Sequence, residues 1–195
     1  MSMQPAMILG IDGLGGAGKT TVAREIQQQV VGSVLLHIDD FIHPRHVRYD
    51  NEIEPWEAYY WKQWRYDYLV DSILQPMKSG LPIDKYIQIY NKEKDVYEET
   101  RFTISPGNLL IVEGVFLQRE ELREYFDQII YVHAEKETRL QRVLTRDSYI
   151  GNRDAIVKKY EERYFPAEER YVADCHPKKH ADLVITSPFL AKKYE

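Results

Sequence analysis

The chain has 195 residues, a formal net charge of −5 and one cysteine, with 44% hydrophobic and 29% charged residues. This length fits one domain with a well-formed core, and the composition is typical of globular proteins. Neither a nucleic acid nor an anionic membrane is expected as the main partner, because either requires a net basic face. The sequence contains no run of about 18 apolar residues, which is the length that a helix needs to span a bilayer. A lone cysteine, Cys175, cannot form an internal disulfide, which favours a cytoplasmic location.

Short apolar runs alternate with helical patterns along the chain. The predicted core strands are 6–12, 34–38, 109–114, 128–134 and 181–186. Helices are predicted from Lys19 to Gly32 and over about 118–125, 135–147 and 153–172. Apolar strands separated by helices are typical of a parallel sheet that is covered on both faces. The pattern therefore predicts an α/β fold with three layers, α/β/α.

An additional segment separates the second and third predicted core strands. Residues 42–55 contain two prolines and predict a loop, and helical spacing follows over 56–80. Alternating residues at 83–90 and 96–104 predict a hairpin. We interpret most aromatic residues between 56 and 68 as a seam that joins this insertion to the core. The alternative is that some of them, with Tyr86 and Tyr90, line a substrate pocket.

The sequence GLGGAGKT at 13–20 matches two different fingerprints. Gly13, Gly15 and Gly18 satisfy the dinucleotide pattern G-x-G-x-x-G, and Asp39 lies 21 residues beyond Gly18, where that pattern needs an acid. Lys19 and Thr20 complete instead the phosphate-binding pattern G-x-x-x-x-G-K-[ST], in which a lysine reaches the outer phosphates and a hydroxyl binds Mg²⁺. A dinucleotide site or a chance glycine-rich turn needs neither residue. The sequence therefore favours a phosphate loop.

Two further hypotheses have weaker support. A GTPase needs an N-K-x-D segment, but in the stretch Asn91–Asp95 the aspartate lies one residue too far along, at a predicted hairpin tip. A metal site at Cys175, His176 and His180 lacks a second ligand cluster, so we predict a surface loop there.

Carboxylates follow two of the predicted core strands. Asp39 and Asp40 end the second strand, at the edge where such sheets bind ligands, and one of them could accept the proton of an acceptor hydroxyl. We favour Asp39, with Asp40 left open. Glu113 ends a central strand, where a carboxylate could order the water around a metal ion.

Arginines share one face of the predicted helix 135–147. Arg139, Arg142 and Arg146 are spaced by three and four residues. They could close over phosphates as a lid. A solvated charged face, paired with neighbouring acids, is the alternative.

Taken in order, the motifs GLGGAGKT, HIDDF, LLIVEG, RLQRVLTRD and HPKKHADLVI resemble those of the uridine kinase-like P-loop kinases, a group that includes uridine, nicotinamide riboside and pantothenate kinases and phosphoribulokinase. The resemblance covers most of the chain. It implies a P-loop NTPase fold with a five-stranded parallel core sheet, Mg-ATP as the phosphoryl donor, and a hydroxyl of a small molecule as the acceptor.

The resemblance also implies roles for individual residues. The nucleotide would be bound by Gly13, Gly15, Gly16, Ala17, Gly18, Lys19, Thr20, Thr21 and Arg142. Mg²⁺ would be held by Thr20 and Glu113, and catalysis would use Lys19, Asp39, Arg142 and Arg146. The resemblance also implies substrate contacts from Asp39 and Asp50. Apart from the resemblance, we expect Tyr90 on the hairpin to line the acceptor pocket, and Arg101 with Asp50 to hold a ribose or an acid group.

The predicted hairpin departs from the uridine kinases. Those proteins carry a tyrosine–aspartate–phenylalanine run and a histidine that reads the pyrimidine, whereas here Tyr90 is followed by Asn91, Lys92 and Glu93. The resemblance therefore describes the scaffold and leaves the acceptor open.

We accordingly expect a single kinase domain over 1–195, with a substrate-side insertion at about 42–106 and a lid at about 135–165. The predicted activity is ATP-dependent phosphorylation of a nucleoside-like or related metabolite. The alternative is a regulatory nucleotide-binding protein without turnover, which would need no acceptor base. A homo-oligomer is compatible with the sequence.

Overall fold

A computed structural model describes residues 7–186 of the chain. The core strands are β1 (Met7–Asp12), β2 (Val34–His37), β5 (Leu109–Gly114), β6 (Gln128–His133) and β7 (Leu183–Thr186). They form one parallel sheet in the order β2-β5-β1-β6-β7. The predicted five-stranded core is confirmed, although Ala6 of its first predicted strand lies outside the described residues.

Alternation along the central strands places apolar side chains in two separate layers. In β1, Ile8 faces one cluster, which includes Tyr171. Ile11 faces another, which includes Val22 of helix α1 (Lys19–Gln29). Both isoleucines are fully buried. The sheet is therefore covered on both faces, as the apolar runs predict.

The predicted insertion lies between β2 and β5. Its hairpin consists of β3 (Ile83–Asn91) and β4 (Val96–Ile104), which pair antiparallel. Its helical part consists of α2 (Arg45–Arg48), α3 (Pro55–Lys62), α4 (Tyr66–Leu69), a π-helical stretch Val70–Leu74 and α5 (Gln75–Lys78). Residues 42–55 thus contain a short helix where the sequence predicted only a loop.

The helix predicted over 56–80 is interrupted at residues 63–65. Here the chain pairs with the segment after β2: the Arg65 amide donates to the Phe41 carbonyl at 2.8 Å, and the His43 amide donates to the Gln63 carbonyl at 2.9 Å. Trp64 forms a bridge with Ile42, and both side chains are buried. Burial of Ile42 and Trp64 stabilises this pairing more than a continuous helix would be stabilised. The spacing of apolar residues along the sequence cannot show such a contact between separate segments.

The prediction of a helix over 118–125 is wrong, because only a 3₁₀ turn, Arg123–Tyr125, forms there. The Gln118 amide donates to the Tyr171 hydroxyl, and the guanidinium of Arg119 donates to the Tyr60 carbonyl. The positive φ of 64° at Phe116 turns the chain just before this segment. Contacts with distant residues therefore replace the helical hydrogen bonds.

The C-terminal third follows its predicted helices closely. Helix α6 (Lys136–Arg146) is followed by a 3₁₀ turn Ser148–Ile150, and α7 (Arg153–Lys159), a π-helical stretch Tyr160–Tyr164 and α8 (Phe165–Cys175) succeed one another directly. A short α9 (Pro177–His180) leads to β7. Within residues 7–186, no helix is long and apolar enough to cross a membrane.

Candidate active site

Glycine is required in the loop between β1 and α1. Gly13, Gly16 and Gly18 have φ values of 150°, 77° and 103°, which side chains rarely tolerate. A Cβ atom on Gly13 would lie 2.4 Å from the Val132 carbonyl oxygen, and one on Gly16 would lie 2.8 Å from that of Arg139. The loop thus packs directly against the backbones of β6 and α6, and its last amides lie at the start of α1, where anions bind.

The side chains that follow the loop converge on Glu113. Thr20 donates to Glu113 Oε1 at 3.2 Å, and His37 Nδ1 lies 2.6 Å from the same oxygen. Burial raises the pKa of Glu113, but the hydrogen bonds from His37 and Thr20 and the Lys19 charge outweigh burial, so the net pKa is lowered. The partner responds in the opposite direction: the hydrogen bond to Glu113 raises the pKa of His37.

Lys19 is only 9% exposed, and its ammonium donates to the Leu14 carbonyl at 3.1 Å. Burial lowers its pKa, and the negative charges of Glu113, Asp12 and Asp39 oppose this effect. Lys19 lines the cleft, and its ammonium carries three N–H donors, of which the Leu14 carbonyl accepts one, so it could also donate to a phosphate there.

Asp39 and Asp40 belong to a 3₁₀ turn, Ile38–Asp40, at the end of β2. Asp39 is exposed in the cleft described below and lies 3.7 Å from Lys92 of the hairpin. Asp40 is partly buried, and burial raises its pKa. Gly114 fixes the position of this turn, because a Cβ atom there would lie 2.0 Å from Ile38 Cγ2.

A cleft of about 850 Å³ runs from the phosphate loop to the insertion. Several predicted site residues line it together: Gly15, Lys19, Thr20, Asp39, Glu113 and Arg146. Arg142 lies beside the loop instead and donates to the carbonyls of Gly16 and Ala17, both at 3.2 Å. Thr21 is exposed on the first turn of α1.

Three residues predicted to contact the substrate do not line this cleft. Asp50 forms an ion pair with Lys62. Arg101 binds both carboxylate oxygens of Asp84 on the exposed face of the hairpin. Tyr90 is buried. The structure therefore does not bring Asp50 and Arg101 into one acceptor pocket; only Tyr90 approaches the cleft, because its hydroxyl contacts Arg48 from behind.

Most aromatic residues of the insertion lie in the core or pack against it, as the sequence analysis favoured, and few line the cleft. Tyr60, Trp64 and Tyr66 are buried in the core, and Tyr59 alone of the group between 56 and 68 lines the cleft. Tyr86 is 67% exposed on the hairpin. Most of these rings therefore join the insertion to the core.

The arginine face of α6 has three different environments. Arg139 is buried in an ion pair with Glu168 at 2.7 Å and also donates to the Gly15 carbonyl at 3.0 Å. Arg146 is exposed, lines the cleft and bonds to Asp147 at 2.6 Å. A solvated charged face therefore does not describe the whole stripe, because Arg139 supports the phosphate loop from within.

Two residues of the site were missed by the sequence analysis. Asp12 is fully buried and accepts hydrogen bonds from the Gly13 amide at 2.7 Å and from Gln118 Nε2 at 2.9 Å. Glu168 accepts from the Gly15 amide at 2.7 Å. Asp12 could have been noticed because it directly precedes the loop. Glu168 lies 153 residues from Gly15, and no spacing rule points to it.

A family model described as "Phosphoribulokinase / Uridine kinase family" matches residues 8–189. The chain belongs to this family. A uridine kinase of Staphylococcus aureus is 30% identical to this chain over 190 residues, which cover 94% of this chain and 88% of the relative. Membership shows a nucleotide-binding P-loop protein of a kinase family.

Solved structures agree with this assignment. A protein described as a possible uridine kinase from Bacillus stearothermophilus superposes with a TM-score of 0.75 at 28% identity, covering 95% of this chain and 91% of that one. A D-glycerate 3-kinase from Cryptococcus neoformans superposes with a TM-score of 0.65 at 12% identity, covering 94% of this chain and 87% of that one. The second likeness shows the fold alone.

The donors around Glu113 suit Mg²⁺, which is held by few protein oxygens together with phosphates and water. The Thr20 hydroxyl and the Glu113 carboxylate lie 3.2 Å apart at the base of the cleft. Across residues 7–186 no group of three or more His, Cys, Asp or Glu side chains could hold a metal alone. Around Cys175, His176 and His180, where the sequence predicted a surface loop, α8 ends at Cys175 and Pro177–His180 form the short helix α9.

Proposed function

We propose that this protein is an ATP-dependent kinase that transfers the γ-phosphoryl group of Mg-ATP to a hydroxyl of a small molecule. One observation carries the proposal: Lys19, Thr20, Glu113 and Asp39 line a single cleft at the carboxyl end of the parallel strands. A phosphate-binding group and an acceptor-activating group are needed together only for transfer, and a protein that merely binds a nucleotide needs only the first.

Phosphoryl transfer depends mainly on positioning and on charge stabilisation. The amides of Gly13 and Gly15 donate to Asp12 and Glu168, so the later loop amides, up to Thr20, would hold the phosphates. The Lys19 ammonium would lie against the outer phosphates. Thr20 and Glu113 would hold Mg²⁺, which when bound neutralises charge on the phosphate oxygens. Arg142 already contacts the loop, and Arg146 would approach the transferred group from the lid.

Asp39 is the proposed base. It lies in the cleft with Lys19 and Thr20, whereas Asp40 does not line the cleft. A carboxylate there would orient the acceptor hydroxyl toward the γ-phosphate and accept its proton. Residues 42–106 would form the acceptor side of the domain and residues 135–165 the lid, because both segments border the cleft.

ATP consumption measured against a panel of nucleosides, vitamins, sugars, hydroxy acids and sugar phosphates tests this function. We expect one acceptor class to raise turnover, and Lys19→Ala to lower it by about 10²-fold or more. Lys85→Ala, on the exposed hairpin face, is the matched lysine control and should retain full activity. Tight ATP binding without acceptor-dependent turnover would favour a regulatory nucleotide-binding protein instead, and full activity of Lys19→Ala would contradict the proposal.

A further inference from the structure

The end of the cleft that faces the insertion is lined by basic and aromatic side chains. Arg45 and Arg48 come from α2, Lys92 comes from the hairpin and Lys159 comes from α7. Tyr49 lies among them. Three segments that are far apart in sequence thus bring four cations to one wall, which we call the basic wall: Arg45, Arg48, Lys92 and Lys159.

Most cations of the basic wall have no carboxylate partner. Among residues 7–186, neither Arg45, Arg48 nor Lys159 has an ion pair within 4.0 Å, and Lys92 reaches Asp39 only at 3.7 Å. Arg45 donates to the Lys92 carbonyl, Arg48 to the Tyr90 hydroxyl, and Lys159 to the Tyr49 hydroxyl. These acceptors are neutral, but the Tyr90 hydroxyl donates in turn to Asp95, and the charges of Arg45 and Arg48 contribute to lowering the pKa of that carboxyl.

Arg48 is the most unusual of the four. It is only 8% exposed, and its buried Nε has no hydrogen-bond partner. Arg48 contacts a carboxylate, Asp95, only through the Tyr90 hydroxyl, whereas a buried guanidinium normally has a direct ion-pair partner. Because Arg48 also lines the cleft, a bound anion could supply that direct partner and accept from the guanidinium.

The surroundings of Tyr49 give an independent sign of positive potential. The Arg163 guanidinium lies 4.3 Å from the centre of its ring, the Arg48 guanidinium 5.1 Å, and the Lys159 ammonium 5.5 Å. Burial raises the pKa of Tyr49, yet the charges of Lys159, Arg163 and Arg48 outweigh it and lower the pKa. Carboxylates also line the cleft, and Asp95 accepts from the Arg45 amide beside it. The carboxylates of the cleft are Asp39, Glu93, Glu113, Asp147 and Glu168.

We propose that the basic wall selects a small hydroxylated anion, one that carries a carboxylate or a phosphate, as the phosphoryl acceptor. This inference rests on the proposed kinase function and gives its acceptor class. The anionic group would lie against Arg48 and Lys159 at one end of the acceptor, and the reacting hydroxyl would lie near Asp39 at the other. A neutral nucleoside would leave Arg48 and Lys159 without a direct ion-pair partner.

Matched acceptor pairs that differ in charge test the inference. Suitable pairs are glycerol with glycerate, ribose with ribose 5-phosphate, and pantothenol with pantothenate. We expect the anionic member of at least one pair to have a kcat/KM at least ten times that of its neutral partner. Glycerate and pantothenate test a carboxylate, and ribose 5-phosphate tests a phosphate. A uniform preference for neutral acceptors, uridine included, would overturn the inference while leaving the kinase function intact.

Variants of the wall connect such a preference to the named residues. Arg48→Met and Lys159→Met should raise the KM for the anionic acceptor by about 10-fold or more, a loss expected for a charge-assisted hydrogen bond. The KM for ATP should stay unchanged, and Lys85→Met on the exposed hairpin face is the control. Equal effects on anionic and neutral acceptors would contradict a charge-selecting role.

A binding measurement separates failure of this inference from failure of the proposed function. With the phosphate loop filled by a non-hydrolysable ATP analogue and Mg²⁺, inorganic phosphate should raise the melting temperature of the wild type but not of Arg48→Met. Folding of the variant is checked by its unchanged response to the ATP analogue. No response of the wild type to phosphate, acetate or sulfate would overturn the inference whether or not turnover is found.

Discussion

The two ends of the cleft balance their charges in different ways. At the nucleotide end, Lys19 lies among Asp12, Glu113 and Asp39, and Arg139 is buried against Glu168. At the acceptor end, the side chains of Arg45, Arg48 and Lys159 donate to neutral oxygens and have no direct ion pair among residues 7–186. The first end is built around the backbone of one loop, and the second is built from side chains of separate segments.

This difference indicates that the nucleotide end of the site is already formed before a ligand binds. The loop geometry depends on glycines and on buried pairs, so small changes there should disturb both folding and nucleotide binding. The cations of the acceptor end lie at the surface of the cleft, and their removal should change selectivity more than stability. The variants Arg48→Met and Lys159→Met described above test the acceptor end, and the following three predictions test the nucleotide end, in order of decreasing effect.

Breaking the Arg139–Glu168 pair should have the largest effect on stability. Glu168→Gln would leave a buried guanidinium without a counter-charge, which costs about 3–5 kcal/mol. Urea unfolding measures this loss. The double variant Arg139→Met with Glu168→Met should lose less than Glu168→Gln alone, because no buried charge remains.

The exposed pair Arg101–Asp84 is the control for that experiment, and Asp84→Asn should leave the melting temperature almost unchanged. If Glu168→Gln were as harmless as Asp84→Asn, the pair would not support the loop as described.

Gly13→Ala should lower the free energy of unfolding nearly as much as Glu168→Gln. The substitution combines an unfavourable φ, which costs about 1–2 kcal/mol, with contact against the Val132 carbonyl, which costs a further ~1–3 kcal/mol. Gly80→Ala is the matched control, because Gly80 has φ 69° but no atom within 4 Å of the new Cβ, so only about 1 kcal/mol should be lost. Equal losses in calorimetry would show that the close approach to Val132 has no cost.

His37 should give the smallest effect, and one that depends on pH. Its pKa is raised by Glu113, so protonated His37 stabilises the folded state below about pH 6.5, and this contribution is lost as pH rises through the folded pKa. The side chain is 34% exposed, which limits the effect to below about 1 kcal/mol. His37→Asn, measured without nucleotide or metal, should therefore differ from wild type more at pH 6 than at pH 9. A constant difference would contradict the pairing.

Local features of the fold were predictable from the sequence. Strand β1, the loop and α1 follow from a short apolar run, three glycines and helical spacing, all within about 25 residues. The hairpin β3–β4 and helix α6 are likewise local patterns and were predicted correctly. The break at residues 63–65 and the missing helix at 118–125 were not predictable, because hydrogen bonds with distant residues decide both.

The residues of the candidate site likewise divide into those that a local sequence motif predicts and those that only the fold brings together. Lys19, Thr20, Asp39 and Glu113 stand at motif positions or strand ends, and the structure places them in one cleft. Arg48 and Lys159 carry no motif, and they meet only because α2 and α7 border the same cleft. Asp50 was chosen from the family resemblance and Arg101 for its residue type, and each is paired elsewhere with a neighbour of opposite charge.

The proposed reaction, phosphoryl transfer from ATP to an acceptor hydroxyl with Asp39 as the base, can be followed with a labelled γ-phosphoryl group. With ATP labelled at the γ-phosphate and the preferred acceptor from the panel, the label should appear in the acceptor and not in free phosphate. Asp39→Asn should lower this transfer by about 10²–10⁴-fold without weakening ATP binding, as expected for loss of a general base. Asp40→Asn should lower it by less than about 10-fold, because Asp40 does not line the cleft. Undiminished transfer in Asp39→Asn, or label found only in free phosphate, would contradict the account.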